Sequence, residues 1–71
     1  MQGGAMEVRV NGEIRHWERS VTVRELLEGL GIRPETVVVE LNLRIVPRER
    51  VGEEMIAEGD SLEIIRLVGG G

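Results

Sequence analysis

Cysteine, lysine, phenylalanine and tyrosine are all missing from this chain of 71 residues, and one tryptophan supplies nearly all its aromatic surface. Without cysteine there is no disulfide staple, no thiol nucleophile and no thiolate zinc site. A single histidine, His16, does not make good that lack, so no metal site is expected. Without lysine there is no side-chain amine to act as a nucleophile or to carry a chain of protein modifiers. All nine basic residues are arginines, set against thirteen Asp and Glu, for a formal charge of −4. No basic stretch interleaves with aromatics, which argues against a nucleic-acid surface. No apolar run approaches the roughly 20 residues that cross a bilayer, and no charged-then-apolar segment reads as a signal peptide. The expectation is a soluble, cytoplasmic single domain with neither nucleic acid nor membrane among its partners. A chain this short buries only about 60% of its unfolded surface. So little core leaves no room for a deep substrate pocket and argues against an enzyme acting alone.

What is present reads as an α+β order. Residues 1–5 carry two glycines and no apolar pattern, and are expected to be a frayed, disordered extension. Met6, Val8 and Val10 alternate with Glu7 and Arg9, the period of a half-buried strand. Asn11-Gly12 then signals a hairpin, because both residues tolerate positive φ. On the return strand Ile14 and Trp17 lie three apart and cannot share a face; the larger Trp17 is the expected core residue, with a bulge or a half-exposed Ile14 absorbing the mismatch. Thr22 and Glu25 form the capping box T-x-x-E, flanked by Val21 and Leu26 as a hydrophobic staple. Val23, Leu26, Leu27 and Leu30 make one apolar helix stripe, ended by Gly31 and Pro34. Residues 36–42 are β-branched and read as a strand with Val37, Val39 and Leu41 on one face and Val38 and Glu40 on the other. A short segment at 43–46 closes at Pro47. Residues 48–58 are charged and irregular, with Met55 and Ile56 expected in the core. After the Gly59-Asp60 turn, residues 61–68 form the last strand, Leu62 and Ile64 inward. One helix on one face of a mixed sheet of four to five strands is a two-layer α+β fold.

Internal candidates for chemistry are few. His16 lies mid-strand without a second ligand, so a surface role outweighs general-base work. Ser20 and Thr22 flank the helix start, where capping explains them better than nucleophilic catalysis. Glu53, Glu54 and Asp60, like Arg48-Glu49-Arg50, read as solvated charge, the latter also as a possible partner contact beside Pro47. The chain then finishes Gly69-Gly70-Gly71. Glycines add backbone entropy and no packing. Either they are an inert frayed end, or the terminal carboxylate is the working group and must pass where side chains would clash. Four residues past Leu67 reach about 13 Å when extended, enough to thread a narrow channel.

V-N-G-E at residues 10–13, T-V-R-E-L-L at 22–27, V-V-V-E-L-N at 37–42, I-V-P-R at 45–48, G-D-S-L-E-I-I at 59–65 and the Gly-Gly end follow in this order. Together they make the chain similar to the ubiquitin-like β-grasp sulfur carriers, above all those of thiamin biosynthesis, from Met6 to Gly71. The resemblance implies a β-grasp domain over residues 6–68 with a flexible tail at 69–71. It further implies that an adenylating enzyme of the ThiF type, related to ubiquitin-activating enzymes, uses ATP to adenylate Gly71. A persulfide from a cysteine desulfurase or another donor then replaces AMP to leave a thiocarboxylate, and thiazole synthase takes up that sulfur. No cofactor is bound by the carrier itself. Gly69 and Gly70 thread into the partner, and Val38, Ile65, Leu67 and Val68 form the partner-binding face. Val51 stands where many members carry an aromatic residue, which puts the local packing there in question. The same fold and tail also serve carriers for molybdopterin or tungsten cofactors and tRNA thiolation, protein modifiers, and plain interaction modules. The lack of lysine fits protection of a reactive acyl end, and fits an arginine-favouring composition equally well.

Overall fold

Alternation, turn chemistry and capping account for most of the observed architecture. A computed structural model describes residues 6–67. The expectations for residues 1–5, for Val68 and for Gly69, Gly70 and Gly71 fall outside the described residues. β1 (Met6–Val10) buries Met6, Val8 and Val10 and exposes Glu7 and Arg9, as its alternation requires. It pairs antiparallel with β2 (Glu13–Trp17) through five unbroken register pairs, so there is no bulge. Trp17, opposite Met6, is half-buried and packs on the core, while Ile14, opposite Arg9, is 47% exposed. Side chains three apart on a regular strand diverge, and the indole takes the inner side.

The helix α1 (Val23–Gly29) starts at the capping box: Glu25 N–H donates to Thr22 Oγ1 at 3.1 Å and Thr22 N–H to Glu25 Oε1 at 2.9 Å. Two further first-turn donors go to the irregular stretch 48–58. Val23 N–H reaches the Glu54 carbonyl at 2.9 Å and Arg24 N–H the Val51 carbonyl at 2.8 Å. The helix thus ends its own polar bookkeeping by ordering a loop. At the other end Gly31 adopts φ +77°, while Ile32 N–H bonds the Leu27 carbonyl and Gly31 N–H that of Glu28. This is a complete Schellman stop. Leu26 and Leu27 are fully buried, a burial worth about 1.5–3 kcal/mol each.

β3 (Val37–Leu41), β4 (Arg44–Ile45) and β5 (Ser61–Arg66) complete a five-stranded sheet in the order β2-β1-β5-β3-β4. β5 enters the middle, parallel to β1 and antiparallel to β3. The helix covers one face, and the fold is the α+β β-grasp. Leu62 is buried and Ile64 packs against the core, as the alternation implies.

The stretch 48–58 departs from expectation. It begins with a short 3-10 turn (Arg48–Arg50), then buries Val51 at 6% exposure, so an aliphatic residue closes that corner of the core. Ile56 is fully buried, whereas Met55 is 51% exposed and not in the core. Met55 bridges Thr22, and adjacent residues of extended backbone point to opposite sides. Ser20 is no cap: its hydroxyl donates to the Ile56 carbonyl at 2.6 Å, tying the loop down from the other side.

Candidate functional site

The site begins with how β5 is held, because β5 leads to the C-terminal residues. β1 ends at Val10, opposite Leu62, and leaves the second half of β5 without a neighbour on that side. The Asn11 side chain takes over. Its Oδ1 accepts from Ile64 N–H at 2.7 Å and its Nδ2 donates to the Ile64 carbonyl at 3.4 Å, so an amide side chain continues the ladder. Asn42 holds the start of β5 from the opposite side, accepting from Ser61 N–H at 3.0 Å and donating to Asp60 Oδ1 at 3.0 Å. Asp60 also accepts from Ala57 N–H at 2.7 Å, so it pins a turn and is no spare carboxylate. On the β3 side, pairing runs to the last described residue, with Leu67 N–H bonded to the Thr36 carbonyl at 3.1 Å.

Asn11 and Asn42 occupy equivalent turns. Each opens a two-residue hairpin loop with positive φ at both positions: Asn11 +50° and Gly12 +85°, Asn42 +52° and Leu43 +71°. Only the first of these turns was readable as Asn-Gly; the second carries leucine in the glycine place, and its signal was the asparagine alone.

The sheet face away from α1 is open. Val38 and Ile65 are directly opposed on it, Val38 half-buried and Ile65 46% exposed, and Leu67 at 48% follows. Three of the four expected face residues therefore meet on one surface, and the fourth, Val68, lies outside the described residues. Two large apolar residues of the same region escaped the sequence reading: Leu43, 90% exposed, and Ile45, 64% exposed and opposite Glu40. The other candidates stay apart from this surface patch or serve the frame. His16 Nε2 lies 3.8 Å from Glu7 Oε1 as an exposed cross-strand pair, and Arg50 pairs with Glu54 at 3.3 Å. Among the described residues no group of His, Asp and Glu is placed to hold a metal, and no helix is long and apolar enough to cross a membrane.

The described residues thus set a central strand, held on both sides, beside an open apolar face. Comparison with known proteins decides the family. The ThiS family model matches residues 8–71. The chain belongs to the ThiS family. A crystal structure of the ThiS thiamine biosynthesis protein from Geobacter metallireducens superposes with a TM-score of 0.81 at 35% identity, covering 93% of this chain and all of that one. The sulfur carrier protein ThiS of Bacillus subtilis is 32% identical over 90% of this chain and 98% of its own. A thiazole synthase of Paramagnetospirillum magneticum is 42% identical over 93% of this chain, which spans only 20% of that longer protein. The β-grasp fold and membership in the ThiS family thus agree with the resemblance read from the motifs.

Proposed function

We propose that this chain carries sulfur on its C-terminal glycine for formation of the thiamin thiazole. The observation that supports this most is the extent of the family match, which runs through β5 and on to Gly71. In this reading an adenylating enzyme of the ThiF type joins the Gly71 carboxylate to AMP with loss of pyrophosphate from ATP. A carboxylate is a poor electrophile and its mixed anhydride a good one, so a sulfur nucleophile then displaces AMP. With a protein persulfide as donor, its outer sulfur displaces AMP to form an acyl disulfide. A thiol then attacks the donor's sulfur, breaking the S–S bond to release the thiocarboxylate and leave a disulfide on the donor. Thiazole synthase is the proposed recipient, supported by the occurrence of a segment like this chain within proteins of that name. The chain itself is the substrate of these steps and no catalyst. Gly69 and Gly70 lack side chains that would clash in a narrow partner channel, and Val38, Ile65, Leu67 and Val68 face the partner.

Mass spectrometry tests this directly. Incubated with the adenylating enzyme, ATP and a sulfur donor, the protein gains about 16 Da, the difference between oxygen and sulfur. Deleting Gly70 and Gly71 abolishes the gain and leaves the unfolding midpoint unchanged. An unchanged mass of the intact chain with an enzyme shown to be active overturns the reading.

A further inference from the structure

The hold on β5 weakens along its length, in the half that leads to the chain end. Leu62 is buried, Ile64 half-buried, and Ile65, Arg66 and Leu67 are exposed, so packing fades toward the C-terminus. Backbone support fades on one side as well. β1 pairs with β5 only at Arg9–Ser61 and Val10–Leu62, whereas β3 follows β5 as far as Arg66. Where β1 stops, a cleft of about 690 Å³ opens between the first hairpin and the end of α1, with Ile64 and Arg66 on its wall. Across that gap the Asn11 side chain bonds both backbone groups of Ile64. The 2.7 Å bond from Ile64 N–H to Oδ1 is the stronger of the two, the 3.4 Å bond from Nδ2 the weaker.

Alternate residues of a strand offer their backbone groups to opposite neighbours. The Ser61 carbonyl and Leu67 N–H bond toward β3, and the Leu62 carbonyl toward β1, so Ile64 belongs to the β1 side. With the Asn11 amide in place β5 is held from both sides through Ile64, and only residues 68–71 lie beyond Leu67. Without it, the last bond on the β1 side is that from Asn11 N–H to the Leu62 carbonyl at 2.9 Å. The end of β5 then hangs on a one-sided ladder with little burial, the condition for local fraying. Each frayed residue must be ordered again when another protein takes up the tail, and that ordering opposes binding.

We propose that Asn11 is a positioning residue for activation of the chain end. This rests on the carrier reading, in which the Gly71 carboxylate attacks the α-phosphorus of ATP in the adenylating enzyme and pyrophosphate leaves. Asn11 touches none of the reacting groups, for Ile64 stands seven residues before Gly71. Its amide fixes where strand ends and reach begins, so the enzyme binds a tail whose root is already ordered. Such preorganisation acts on binding, before the chemical step; its loss raises KM and leaves kcat. Asn42 provides the comparison within the same molecule. It has the same side chain, a matching turn conformation and the same strand as its client, but it holds Ser61 at the end of β5 far from Gly71.

The test is ATP–pyrophosphate exchange by the purified adenylating enzyme of the source organism, with the concentration of the carrier varied. Asn11→Gly keeps the positive φ and loses the amide; KM rises about fivefold or more, and kcat stays within about twofold. Asn11→Asp keeps the Oδ1 acceptor for Ile64 N–H and tolerates the turn, so KM returns to within about twofold of the unaltered chain. Asn42→Gly and Thr22→Ala leave KM unchanged, because a small loss of stability leaves nearly every molecule folded. Amide exchange in Asn11→Gly quickens at Ile64 and Leu67 more than at Val8. An unaltered KM in Asn11→Gly, a fall in kcat alone, or an equal rise of KM in Asn42→Gly and Thr22→Ala overturns the positioning role. Normal adenylation of the unaltered chain leaves the carrier reading standing in each of those cases. No pyrophosphate exchange with the unaltered chain and an active enzyme sinks the carrier reading, and the positioning role with it.

Discussion

At the residue scale, asparagine does what a strand would otherwise do. β5 outruns β1, and a central strand with unpaired backbone groups is unstable unless something bonds them. Asn11 meets this need with two hydrogen bonds to Ile64 while holding a positive φ that few other residues tolerate. Asn11→Ala loses both contributions and is expected to cost about 2 kcal/mol in urea unfolding. Asn11→Gly keeps the backbone conformation and isolates the hydrogen-bond share, about 1 kcal/mol. Equal losses in the two variants would mean that the amide, and not the turn conformation, carries the effect. Leucine at position 43 is the opposite case, a residue poorly suited to its turn, at φ +71° and 90% exposed.

At the element scale, the seven-residue helix is too short to stand alone and depends on its ends. Thr22→Ala removes the acceptor for Glu25 N–H and is expected to destabilise by about 1 kcal/mol, read as a 4–8 °C fall in Tm for a domain of this size. Because the carbonyls of Val51 and Glu54 bond the same first turn, amide exchange in residues 51–56 should quicken along with it. The loop's own anchor is Ile56. Ile56→Ala is expected to cost about 2–5 kcal/mol, and Met55→Ala less than about 0.5 kcal/mol, by equilibrium denaturation. A large effect at Met55 would contradict its exposed position.

At the scale of the whole molecule, the proposed carrier function gives body and chain end separate tasks. β5 is the central strand of the five, paired with β1 and β3 and clamped on both sides by side chains before the chain reaches Leu67 on the open face. Substitutions in the core should alter Tm and leave the adenylation rate of the folded fraction unchanged. Removal of Gly70 and Gly71 should do the reverse. If core and terminal variants shift both properties together, the division of labour is false.

The amino-acid order by itself determined β1, the first hairpin, the capped helix and its glycine stop, because each depends on contacts within a few residues. It also determined the inward sets Val37, Val39 and Leu62, Ile64, since strand alternation is local, and the motif series that carries the family resemblance. Only the tertiary structure decided what depends on neighbours distant in sequence. The insertion of β5 between β1 and β3 assigns Asn11 and Asn42 their partners 18 to 53 residues away. That insertion also sets Glu40 against Glu63, and an apolar stripe beside them. The exposure of Met55 and Leu43 belongs here as well, for burial is a property of what a folded chain lays over a residue.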